Sequence, residues 1–225
     1  MPAMGQQERH SPNNVNSARP TAAACIGAAF CAAVFLAALT LATLGTEERG
    51  TRVALQLTAR FGFLLFWPAY AAGALTALFG TAFEPLKRHA RGLGLAFASA
   101  LLVHLTLVAW LIYIRANPPF EVFLFFGIAA LWTYLLALSS IARLQRKLGP
   151  GRLWFLRVVG LNYIACAFAF DFLKYPQFST VKYLLGYLPF AVLSVVGPLL
   201  CLAAFLRRCA SAAIFFKTGR LRNSR

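Results

Sequence analysis

Side chains able to do acid–base, ligand or ion-pair chemistry are scarce in this sequence, and those present stand inside apolar runs. His104 lies in the middle of one such run, within Ala100-Leu101-Leu102-Val103-His104-Leu105. A neutral imidazole there either hydrogen-bonds to a neighbouring helix or ligates a metal. Arg157 and Asp171 share another run, fourteen positions apart. On a helix that spacing puts them on one face but about 21 Å apart, so they do not pair with each other. Arg157 stands one turn inside its run and is placed to snorkel to the interface. Asp171 stands near the opposite end, one turn before Lys174, and Arg60 enters the membrane at that same side. Interfacial ion pairing with either cation is the expectation for Asp171. Ser139, Ser140 and Asn162 are expected to hydrogen-bond between helices.

Nucleotide-binding motifs and cysteine metal sites are absent from the sequence. There is no GxGxxG and no GxxxxGK[ST]. Cys25, Cys31, Cys166, Cys201 and Cys209 form no CxxC and no metal spacing. Thiols at such positions behave as small hydrophobes.

The elements that position these residues are membrane helices. Of 225 residues 60% are hydrophobic and 12% charged, with a mean hydropathy of +0.69. Soluble domains are about a quarter charged. Too little polar surface is available to cover a water-soluble globule, so lipid must cover it. Six apolar stretches, roughly 21–45, 53–80, 93–114, 119–142, 153–173 and 183–206, each reach the 20 or so residues a crossing helix needs. None shows the period-two alternation of a membrane β-barrel. The fold class expected is all-α, a polytopic bundle of six transmembrane helices.

Three segments follow: a disordered cytoplasmic lead over 1–20, the transmembrane domain over 21–206, and a basic cytoplasmic tail over 207–225. Within that tail 210–216 is apolar but too short to span, either lying flat in the interface or disordered. The first run is too long for a signal core and lacks a small-residue cleavage site after it, so it is read as an uncleaved helix. Net charge is +16. The basic residues sit between apolar runs, where lipid headgroups lie, which excludes a nucleic-acid-binding domain. Fifteen Lys and Arg fall on the side of the N-terminus and six on the other. By the positive-inside rule both termini are cytoplasmic in a cell (inner) membrane, with Glu47, Asn117 and Gln177 outside and Lys87, Lys147 and Lys217 inside.

Arg91-Gly92-Leu93-Gly94-Leu95-Ala96-Phe97 leads into His104, ten residues after Gly94. Together with Ala59-Arg60-Phe61-Gly62-Phe63-Leu64-Leu65, Pro85-Leu86-Lys87-Arg88 and Leu148-Gly149 before Trp154, this resembles the ferric-reductase-like transmembrane domain family. That family includes the heme-bearing membrane subunit of bacterial protein-methionine-sulfoxide reductase. The likeness covers roughly residues 53–206, and the stretch leading to His104 is its specific part. It implies a six-helix fold, heme b on His104, and the membrane component of an oxidoreductase. Electrons would come from a quinone pool or a separate redox partner, since no flavin or nicotinamide domain is present. The family's further heme-ligating His residues, on the fifth helix, correspond to Val158 and Asp171 here. His10 and His89 are the other imidazoles, and His89 is about 22 Å of helix from His104. The expectations are therefore a single-His five-coordinate heme, a ligand from another subunit, or a relative that has lost heme. The alternative class is a non-enzymatic structural or partner-binding membrane subunit.

Overall fold

The computed structural model describes residues 22–116, 118–174 and 181–222. The expectations for the lead over 1–20, His10, Asn117 and Gln177 fall outside them. The described residues form six α-helices and no strand. They are α1 (Ala22–Leu44), α2 (Glu48–Phe79), α3 (Glu84–Tyr113), α4 (Phe120–Ser139), α5 (Ala142–Leu173) and α6 (Val181–Arg222). One 3-10 turn, Gly80–Phe83, joins α2 to α3.

Five stretches are long and apolar enough to cross a membrane: Ala23–Leu44, Glu48–Tyr113, Phe120–Ser139, Gly149–Leu173 and Gly186–Ser211. The second is 66 residues long and contains both α2 and α3. Large apolar side chains such as Phe35, Leu131, Phe155 and Leu199 face outward on these helices, as lipid contact requires. The protein is a multi-pass membrane protein.

Connections expected to be loops are largely helical. Residues 81–92 belong to the short turn and then to α3, whose Pro85 sits in its first turn, where a missing N–H costs nothing. The fourth connection is helical except at Gly149 (φ 71°, ψ 163°), which divides α5 just before Pro150. A left-handed φ suits glycine there, and the following proline starts the main segment. Past Leu206, α6 continues without a break to Arg222.

Helix directions follow from contacts between them. Thr58 of α2 meets His104 of α3, and Gly62 faces Phe97, so these two helices are antiparallel. Tyr70 reaches Asn162 while Phe63 touches Phe172, so α2 and α5 are also antiparallel. Trp67 donates to the Leu193 carbonyl and Arg207 to those of Ala77 and Leu78, which makes α6 parallel to α2. Ser99 bonds to Ile26 and Trp110 to Thr46, so α1 runs with α3. α4 lies against α5, with Phe125 on Tyr163 and Trp132 beside Gly160.

Two cores result, with α2 and α3 common to both. Between α1, α2 and α3, Ala33, Ala37, Ala54, Ala100, Val103 and Leu107 pack closely. Small residues let helix backbones approach in lipid, where no hydrophobic force pulls them together. Between α2, α3, α5 and α6 the core is aromatic, built on Phe63, Phe66, Tyr70, Phe97 and Phe172 with Phe168 and Phe190 against them.

Candidate functional site

His104 stands on α3, nine residues before its end at Tyr113. α3 starts earlier than the apolar run suggests, so His104 lies in the C-terminal half of the helix rather than at its middle. Its Nδ1 lies 3.0 Å from the hydroxyl of Thr58, which is 3% exposed. The same hydroxyl is 2.9 Å from the Ala54 carbonyl and 3.1 Å from that of Leu55. A Thr hydroxyl carries one proton, and a helix carbonyl one turn back is its usual acceptor. With that proton on the carbonyl, Nδ1–H donates to the hydroxyl oxygen and Nε2 keeps its lone pair. This hydrogen bond is the packing role expected for an intramembrane imidazole, and the tautomer it selects is also the one metal-ligating histidines use.

Asp171 lies at the other side of α2. Its carboxylate shares a small pocket with Gln56, Arg60, Phe172 and Tyr187. Arg60 and Lys174 are the cations whose charges act on it. The Arg60 guanidinium sits 4.3 Å from the centre of the Tyr187 ring and 5.7 Å from that of Phe190. The Lys174 ammonium stands 5.3 Å from the Phe170 ring. Cations over ring faces are attracted by the ring quadrupole, more strongly away from water. Arg60 thus shares a pocket with Asp171 of α5 and reaches α6 by its aromatic contacts.

Thr58 and Arg60 are two residues apart on α2, so their side chains leave it on roughly opposite sides. His104 and Asp171 are therefore held at one level with α2 between them. Position 171, where the family resemblance would put an imidazole, does not face His104. Val158 is 40% exposed on the outside of the bundle. His89 is on the same unbroken α3, its Nδ1 2.7 Å from the Pro85 carbonyl oxygen.

Where α3 and α5 do approach, phenylalanines occupy the space. Phe97 and Phe168 have ring centres 5.9 Å apart, and Phe66 of α2 lies 5.4 Å from Phe97 and 5.5 Å from Phe168. Phe63 stacks edge-on to Phe168 and Phe172, at 5.1 and 5.0 Å. These are ordinary aromatic contact distances. Among the described residues no group of three or more His, Cys, Asp or Glu is placed to hold a metal. The described residues do not fit a bis-histidine b heme.

Arg157 is exposed on α5. Asn162 accepts from the Tyr70 hydroxyl at 2.9 Å, the interhelical role expected of it. Ser139 and Ser140 differ from expectation. Both hydroxyls return to the Leu136 carbonyl of their own helix, the local bond that short hydroxyl side chains make most easily. Thr58, Gln56 and Tyr187 carry no motif. For Thr58, a hydroxyl in an apolar helix was the only sequence signal, shared by every other threonine in the spans.

No family model, curated protein or solved structure matches this chain.

Proposed function

We propose that this chain is a six-crossing membrane protein of ferric-reductase-like plan that has lost heme and serves as a non-catalytic structural or partner-binding membrane subunit. The observation that carries this reading is the aromatic core. Phe66, Phe97 and Phe168 meet between the third and fifth helices, the region where the resemblance would seat a porphyrin.

The 66-residue apolar stretch supports six crossings. As one straight helix it would be about 100 Å long, over three times the hydrocarbon thickness. Antiparallel packing of α2 on α3 favours two crossings there. The relative directions of the other helices alternate as sequential crossings must, and the distribution of Lys and Arg favours cytoplasmic termini in a cell membrane.

An absorption spectrum of the detergent-purified protein, oxidised and then dithionite-reduced, tests the loss of heme. The expected result is no Soret band. A stoichiometric low-spin b spectrum from this chain alone overturns the reading.

One observation favours a second reading. The Thr58 bond to Nδ1 leaves His104 Nε2 available as a single axial ligand, in a protein taking electrons from quinol or a separate redox partner. That site would be five-coordinate and substoichiometric, with a high-spin spectrum that His104→Ala abolishes.

A further inference from the structure

One stripe of α5 changes character along its length. Arg157, Leu161, Ile164 and Phe168 follow at intervals of four, three and four, so they lie on one face. Ile164 is 3% exposed, and Leu161 and Phe168 pack against the aromatic core. Arg157, on the same face, is exposed. The stripe therefore passes from core to surface within two turns. Beside Arg157 the surface is apolar: Trp154 is 64% exposed, Phe155 60% and Val158 40%.

The depth of this surface follows from the length of the span. The apolar stretch of α5 ends at Leu173. A hydrocarbon layer about 30 Å thick takes about 20 residues of helix, so its other edge falls near Trp154. Trp154 is then at the level where indoles anchor, and Arg157 is one turn inside the hydrocarbon. A guanidinium exposed to lipid at that depth needs an anion, and a snorkelling Arg side chain reaches the phosphate level. Among the described residues no ion pair of Arg157 with an acidic side chain is formed. Arg152, also exposed, adds positive charge at headgroup level.

We infer that Arg157 and Trp154 form a binding site for an anionic phospholipid of the leaflet at the Gly149 end of α5. The phosphate sits on the Arg157 guanidinium and an acyl chain lies along the exposed Phe155 and Val158. Charge complementarity selects the headgroup. A net-negative lipid such as phosphatidylglycerol satisfies the cation without bringing a second one, which phosphatidylcholine does. The site is independent of whether the chain holds heme.

Native mass spectrometry of the delipidated full-length protein, titrated with phosphatidylglycerol or phosphatidylcholine, tests it. The wild type is expected to prefer phosphatidylglycerol. Arg157→Gln should reduce that preference about fivefold, the effect of one basic residue near an anionic surface. Arg157→Lys should retain part of it, and Arg208→Gln, an equal loss of charge elsewhere, should retain it all. No preference in the wild type overturns the proposal. So does an equal loss in Arg157→Gln and Arg208→Gln, which would reduce the effect to net charge. If Arg157→Gln does not fold, loss of the preference in Trp154→Ala with the thermal midpoint unchanged supports the site, and full retention there overturns it.

Discussion

The Thr58–His104 hydrogen bond shows what one polar contact does inside a membrane. Neither partner finds water there, so each satisfies the other, and the bond ties α2 to α3. Thr58→Val keeps the side-chain shape and removes the acceptor for Nδ1–H. Thermal unfolding should show a loss of about 0.6 kcal/mol and at most about 1.7, the mean and maximum for interhelical hydrogen bonds of membrane proteins. An unchanged midpoint would mean that His104 is held by something else. That an imidazole in an apolar helix must have a polar contact was legible from composition and position alone. Its partner was not. Thr58 is 46 residues away, and hydropathy records no azimuth for a threonine. The same limit applies to Asp171. Its two candidate cations were legible from their shared side of the membrane, whereas Gln56 and Tyr187 came together only through packing.

Helices show a different limit. Apolar runs located all the helices to within a few residues at their hydrophobic ends, because lipid tolerates little else. Their polar extensions were not legible. Glu84 to Gly92 is hydrophilic and reads as a loop, yet a proline in its first turn and continuity with an apolar helix make it the start of α3. Connections are correspondingly tight. Between α1 and α2 the chain reverses over Gly45 (φ 86°) and returns so closely that a Cβ on Gly50 would overlap the Gly45 carbonyl. Gly50 is buried, and the obstacle is backbone, which cannot swing aside. Gly50→Ala is therefore expected to destabilise the protein by about 1–3 kcal/mol, the usual cost of an overpacked site. Thermal unfolding, with Gly27→Ala in open space as the comparison, measures it. Equal midpoints for the two variants would contradict the turn geometry.

At the scale of the whole molecule, charge and packing give independent accounts of topology. Packing alternates the helix directions, and the positive-inside rule predicts which side each end takes. Single cysteines at Glu47, Lys87 and Lys147, in a background with the five native cysteines replaced, distinguish the arrangements. A membrane-impermeant maleimide added to intact cells should label position 47 and leave 87 and 147 unlabelled. Labelling of 87 or 147 from outside would reject cytoplasmic termini. Arginines add to this arrangement in the structure itself. Arg207 donates to the Ala77 and Leu78 carbonyls, and Arg91 to that of Ser140. The free carbonyls at the ends of α2 and α4 are thus covered by guanidinium groups, on the side where basic residues accumulate.

The cap on α2 comes from a residue about 130 positions later in the chain. Synthesis runs from the N-terminus, so α2 enters the bilayer long before Arg207 exists. Until α6 emerges, the last carbonyls of α2 remain with water at the membrane surface. A chain released short of Arg207 keeps an uncovered α2 end and an unfilled groove beside Trp67, where α6 belongs. Through these contacts α6 holds α2 as a latch does.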